Sequence, residues 1–137
     1  MTNTLDYYLN LWNLSTPIQI ADSPRGQVYT AYQNREKVVL KLLTADGIED
    51  ESDAVVALRY FDGQAAVRML AYDVQAQLME YAGDTELADL VTEGRDDEAA
   101  GIMGDVINTL HRSQPDAPIP PLRTVKERFQ SLFNRAE

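Results

Sequence analysis

Val38-Val39-Leu40-Lys41-Leu42-Leu43 is a run of six residues in which five are β-branched or aliphatic and one carries a full charge. The run is short and apolar without interruption, which predicts a strand buried on both faces. An ammonium in such a strand is costly, because desolvating it unpaired takes on the order of several kcal/mol. Lys41 therefore asks for an anion. The competing reading is a lysine whose stem packs on the sheet while its head reaches water.

The flanking sequence supplies the rest of a sheet. Thr4 to Leu14 places Leu5, Tyr8, Leu9 and Trp12 at helical spacing, and Pro17 marks the end of that helix. Ile18 to Ala21 reads as a first strand and Ser23-Pro24-Arg25-Gly26 as a turn. Gln27 to Gln33 alternates as a second strand, and Asn34-Arg35-Glu36 makes the hairpin to Lys37–Leu43. Glu49 to Tyr60 follows as a helix with an acidic first turn, stopped by Asp62-Gly63. Ala66 to Ala71 and Gln75 to Tyr81 complete a predicted five-stranded antiparallel sheet with one helix against it. From Gly83 the signals turn helical: Thr85 to Leu90, then Asp96 to His111 with Ala99, Met103, Val106 and Leu110 on one face. Pro115, Pro118, Pro120 and Pro121 predict a stiff connector, and Val125 to Phe133 a last short helix with Phe129, Leu132 and Phe133 apolar.

A strand lysine, a glycine turn one hairpin before it and an acidic helix after it are the parts with which a kinase-type ATP site holds phosphates. Gly26-Gln27-Val28 can be the closing G-x-V of a phosphate-cradling loop, with Ser23 offering its hydroxyl and the backbone its amides; taken alone it is an ordinary hairpin turn. Glu51 and Asp53 are the candidate partners of Lys41, Glu51 having the longer reach; both also suit plain exposure at a helix start. Glu80, Tyr81 and Ala82 stand where the sheet gives way to helices, the place of an adenine-pairing hinge or, more blandly, of an edge strand entering a loop. His111-Arg112-Ser113 lacks the aspartate of a catalytic loop, and Phe61-Asp62-Gly63 is not a D-F-G metal motif. No catalytic residue and no metal ligand is assigned.

At 137 residues with 45% apolar content the chain suits one packed domain. The net charge of −10 disfavours nucleic acid and anionic membranes as partners. The absence of cysteine excludes disulfides and thiolate catalysis, and no apolar stretch approaches the ~20 residues of a membrane span. With no signal-type segment at its start, the chain is expected to be soluble and cytoplasmic.

The order of residues also resembles a known family. Val38-Val39-Leu40-Lys41-Leu42, then Ala57-Leu58-Arg59-Tyr60-Phe61-Asp62-Gly63-Gln64-Ala65-Ala66-Val67-Arg68-Met69-Leu70, then Leu78-Met79-Glu80-Tyr81-Ala82-Gly83 are similar to the aminoglycoside/hydroxyurea antibiotic-resistance kinases of the streptomycin 6-phosphotransferase group. Trp12-Asn13-Leu14, Gly94-Arg95-Asp96-Asp97-Glu98-Ala99 and Leu110-His111 share the likeness. The resemblance implies an α+β, protein-kinase-like N-terminal lobe over residues 1–82 and the first helices of an incomplete C-terminal lobe over 83–137. It implies ATP and magnesium as cofactors, a nucleotide and an aminoglycoside-like small molecule as partners, and a separate C-terminal lobe as a further one. Lys41 would be the phosphate-binding lysine and Glu80 to Ala82 the adenine-pairing hinge. Two departures stand out. The family's lysine-pairing glutamate lies four residues before the leucine matched by Leu58, where this chain has Ala54; Glu51, one helical turn earlier, is the substitute. The family's H-G-D loop and metal-binding aspartate have no counterpart before Glu137, so a truncated, inactive kinase half is expected. The alternative is a non-catalytic acidic interaction or regulatory module on the same fold.

Overall fold

The computed structural model describes residues 4–112, 118 and 120–136. Its elements run α1 (Thr4–Leu11), β1 (Ser15–Ser23), β2 (Gly26–Gln33), β3 (Glu36–Leu43), α2 (Ala45–Phe61), β4 (Met69–Tyr72), β5 (Ala76–Glu80), α3 (Leu87–Thr92), α4 (Asp96–Leu110), α5 (Val125–Arg128) and α6 (Gln130–Arg135). The five strands form one sheet in the order β1-β2-β3-β5-β4, every neighbouring pair antiparallel. This is the α+β, kinase-like N-terminal lobe expected, followed by helices.

The central strand differs from the expectation in one respect: burial along β3 alternates rather than running unbroken. Val38, Leu40 and Leu42 are buried with Tyr29, Ala31, Ala76 and Leu78 beneath α1, which lays Leu5, Tyr8, Leu9 and Trp12 on them. Val39, Lys41 and Leu43 point to the opposite face, which α2 covers only in part. The sheet thus carries a helix on each face instead of one alone, and its less covered face is the one that bears Lys41.

Residue chemistry explains the boundaries. Asn13 takes a left-handed conformation (φ 52°), which asparagine tolerates, and stops α1 before Pro17 is reached. Pro17 lies instead inside β1, an edge strand where a missing N–H is tolerated. Asn34 and Arg35 both have positive φ (50° and 71°), the geometry of a two-residue hairpin turn matched to strand twist. α2 begins at Ala45, four residues before the predicted start, because Thr44 caps it by accepting from the Gly47 amide at 3.2 Å. It ends on Asp62 in the left-handed region, as the Asp62-Gly63 signal predicted. β4 starts at Met69 rather than Ala66, since Ala65 has φ 56° and the Arg68 amide is held by the Glu80 carboxylate at 3.1 Å. The last predicted helix is broken at Phe129 into α5 and α6. Of the proline connector, Pro115 lies outside the described residues, as does Ser113 after His111-Arg112.

One polar contact locks α1 to the sheet. The Tyr8 hydroxyl donates to Asp73 at 2.7 and 2.8 Å, and Asp73 also accepts from the Gln75 and Ala76 amides, closing the β4–β5 turn. Burial and then the Asp73 hydrogen bond push the Tyr8 phenol well above its usual value near 10. The neutral phenol is the bonded form, so this stabilisation is whole below pH 10 and is lost as the pH rises through the raised value. Tyr8→Phe is expected to lower the unfolding free energy by about 1–2 kcal/mol at neutral pH. In phenolate absorbance titrations the variant should lack a single tyrosine that ionises late in the wild type. Equal stability and superimposable titrations would contradict the contact.

Candidate functional site

Lys41 sits mid-β3, directly opposite Val28 of β2 on one side and Gln77 of β5 on the other. Directly opposed residues share a face, so Val28, Lys41 and Gln77 lie side by side on the sheet's less covered face, with Val39 and Met79 next along. The Lys41 ammonium is paired with the Glu51 carboxylate of α2. Both side chains are largely covered, 26% and 21% exposed, so this pair is less screened than the surface ion pairs elsewhere. Asp53, the other candidate, turns away and meets Arg123 at 2.8 Å.

The Ser23–Gly26 turn is docked against the start of α2. Thr44 donates its hydroxyl to the Pro24 carbonyl at 2.7 Å and its amide to the Arg25 carbonyl at 3.0 Å, while Arg25 pairs with Asp50 at 2.6 Å. The hydrogen bond from Arg25 holds the Asp50 carboxyl below its ordinary range, and the one from Arg123 does the same for Asp53. Gly26 and Gly47 are both places of close approach: a Cβ on Gly26 would overlap the Leu42 carbonyl oxygen, and one on Gly47 that of Arg25. Ser23 closes its own turn, its hydroxyl donating to the Gly26 carbonyl and accepting from the Arg25 amide, each at 3.3 Å.

At the far end of β3 a cleft of about 220 Å³ is lined by Val39, Val67, Met79, Glu80, Tyr81, Ala82 and Gly83. Val39 and Met79 belong to the Lys41 face, so the cleft and the ammonium open on one side of the sheet. Glu80 itself is engaged with Arg68, by its amide to the Arg68 carbonyl and by its carboxylate to the Arg68 amide. Tyr81 bonds Asp84 through its hydroxyl, and the Lys37 ammonium lies 4.3 Å from its ring centre. Among the described residues no protein group pairs with the N–H or C=O of Ala82, leaving that edge free.

Chemically, this is one cation held by one anion beside a small apolar slot with an unused backbone edge. The profile of the aminoglycoside/hydroxyurea antibiotic resistance kinases matches residues 11–137. The chain belongs to that family. Among curated proteins, streptomycin 3''-kinase of Klebsiella pneumoniae is 38% identical over 96 residues, which is 69% of this chain and 36% of that relative. The matched stretch is thus about a third of the relative's length.

Within this family member, sequence reasoning missed several residues that build the site. Gln77 is 2% exposed and donates to the Glu51 carbonyl at 3.4 Å, tying β5 to the helix beside the ion pair. A glutamine inside a strand gives no sequence signal beyond its being polar where apolar residues are expected. Gly47, which precedes the expected helix start at Glu49, is the first-turn residue that lets α2 approach the turn. Arg25 and Arg123 acquire meaning only from contacts distant in sequence. Val39, Val67 and Met79 look like ordinary core residues until the strand register puts two of them on the Lys41 face.

Proposed function

We infer that this chain holds the nucleotide for an ATP-dependent phosphoryl transfer to a hydroxyl of a small molecule of aminoglycoside type. The observation that carries the reading is the Lys41–Glu51 pair on the same sheet face as the Val39–Met79 cleft. In this reading Lys41 neutralises the inner phosphates, and Glu51 fixes where the ammonium stands. Val28, Val39, Val67 and Met79 give the base an apolar slot, while Tyr81 and the free backbone edge of Ala82 pair with it. Gly26 allows the turn to lie close over the sheet, and Ser23 shapes that turn. ATP would supply the group to be transferred. The family also implies magnesium; among the described residues no cluster of three or more His, Cys, Asp or Glu side chains could hold a metal ion, and no step is assigned to one.

The acceptor class comes from the relative, whose name is that of a streptomycin kinase. Residues 1–82 would form the nucleotide lobe and 83–137 the start of the second lobe, working in the cytoplasm. Positioning and charge stabilisation dominate phosphoryl transfer, and this reading gives the chain residues to hold nucleotide but assigns none of them as the catalytic base. The 137 residues alone are therefore expected to bind nucleotide without useful turnover.

Calorimetric titration with ATP tests this. The wild-type chain should bind and Lys41→Ala should weaken binding roughly 10- to 100-fold, the worth of a charge-assisted hydrogen bond of about 1.5–3 kcal/mol. Equal binding by both, or none by the wild type, would favour a non-catalytic acidic interaction module. Clear turnover by the purified chain would refute the inactivity.

A further inference from the structure

α2 is a 17-residue helix in which Gly47 is fully buried while its apolar side chains, Ile48, Val55, Val56 and Leu58 among them, are only half-buried. Partial apolar packing is shared with polar contacts in fixing its rotation about its own axis, and that rotation decides whether Glu51 meets Lys41. Its N-terminal half is held by polar groups arriving from different sides. Arg25 takes Asp50, Gln77 takes the Glu51 carbonyl, and Lys41 takes the Glu51 carboxylate. The remaining hold comes from 70 residues downstream: Arg123 donates through Nε to Asp53 at 2.8 Å and through Nη2 to the Asp50 carbonyl at 3.2 Å.

We propose that Arg123 is a positioning residue that sets the roll of α2 and thereby presents Glu51 to Lys41. The role rests on the reading of the Lys41–Glu51 pair given above. At about 100° per residue, Asp53 lies about 200° around the helix from Glu51. Arg123 and Lys41 thus grip the helix from opposite sides, and a helix gripped so does not roll. The guanidinium is suited to this, because its planar fork makes two bonds at a fixed angle where an ammonium is a point charge. The backbone behind it is firm: Thr124 and Glu127 form a reciprocal cap, at 2.8 and 3.1 Å, that begins α5 immediately after Arg123. Arg123 and Asp53 are 38% and 34% exposed, and pairs this open add little to global stability. Their effect is on orientation, so a melting curve is the wrong instrument.

The chain has three lysines, Lys37, Lys41 and Lys126, which makes amine reactivity a direct readout. Trace acetylation of the folded chain, quantified by peptide mass spectrometry, gives labelling of Lys41 relative to Lys37. Glu51→Gln sets the response of an uncovered Lys41. Arg123→Glu should raise the ratio severalfold towards that limit, and Arg123→Lys should raise it partway. The charge swap Arg123→Glu with Asp53→Arg should return it close to wild type. Circular dichroism on each variant confirms that the fold is kept. An unchanged ratio in Arg123→Glu overturns the proposal, as does a swap that fails to restore it. If Glu51→Gln is also silent, the ion pair itself has no hold on Lys41 and the proposal falls with it. Protection of Lys41 by added ATP reads the nucleotide hypothesis separately. Absence of protection with the Arg123 effect intact would sink that hypothesis and leave the positioning role standing.

Discussion

Leu40→Ala should lower the unfolding free energy by about 2–5 kcal/mol, a substantial share of the roughly 5–15 kcal/mol that a domain commonly has. Leu40 and Leu78 are the largest fully buried side chains, and they lie opposite each other at the centre of the sheet beneath α1. Truncation removes the transfer energy of three carbons and leaves a void, because Tyr29 and Leu78 are held in register by backbone ladders on both sides and cannot close in. The neighbouring residue is Lys41, so the same substitution loosens the strand that carries the ammonium. Urea unfolding of the two proteins measures the difference. A loss below 1 kcal/mol would mean that the packing centre lies elsewhere.

Gly47→Ala is the second large effect, and its sign is unusual for a helix. Replacing glycine by alanine within a helix ordinarily gains up to about 1 kcal/mol. Here the new Cβ would overlap the Arg25 carbonyl oxygen and lie 2.9 Å from the carbonyl carbon, and neither backbone group can rotate out of the way. Overpacking of this kind costs about 1–3 kcal/mol, so a net loss is expected, and the turn must lift from α2. Because Thr44 and Arg25 couple that turn to the helix bearing Glu51, the proposed nucleotide binding should weaken as well. Gly101 and Gly104 in α4 are the controls, since nothing lies within 4 Å of a Cβ built on either. Their alanine variants should be neutral or more stable in the same denaturation series. A stabilised Gly47→Ala would show that the turn does not rest on the helix.

The strands around Lys41 were legible because chemistry and position agreed: aliphatic runs, a hairpin at Asn34-Arg35-Glu36 that the structure narrows to a two-residue Asn34-Arg35 turn, and Asp62-Gly63 as a helix stop. β1 runs past the expected Ile18–Ala21 and takes in Pro17, because Ser15-Thr16-Pro17 and Asp22-Ser23 at its exposed ends carry no large apolar residue to detect. α2 begins before the expected Glu49 because the Thr44 cap and the close approach of Gly47 to the Arg25 carbonyl, both set by the Ser23–Gly26 turn, leave no local signal. The choice of Glu51 over Asp53 as the lysine's partner could be argued from side-chain length alone. What Asp53 does instead could not, because Arg123 is 70 residues away. Local pattern fixes which residues are strand or helix; tertiary pairing decides which carboxylate faces which cation, and only the first is written in neighbouring letters.

The expected apolar face of α4 is real in sequence and open in space: Met103 and Val106 are exposed, with Ile102 and Ile107 beside them, as are Phe129, Leu132 and Phe133 further on. Only Ala99 of that helix is buried. The contrast with the enclosed α1 face places the stable centre of the described residues in the sheet.

The tight turn at Asn34-Arg35 has a meaning beyond joining two strands. Side chains along a strand alternate, so the count of residues through that bend decides which way Lys41 looks. Slip the pairing of β3 by one position and its ammonium would face Tyr8 and Trp12 in the oily layer, while Leu40 or Leu42 would confront Glu51. Two residues in a left-handed twist thus act as the parity bit of the whole Lys41 face.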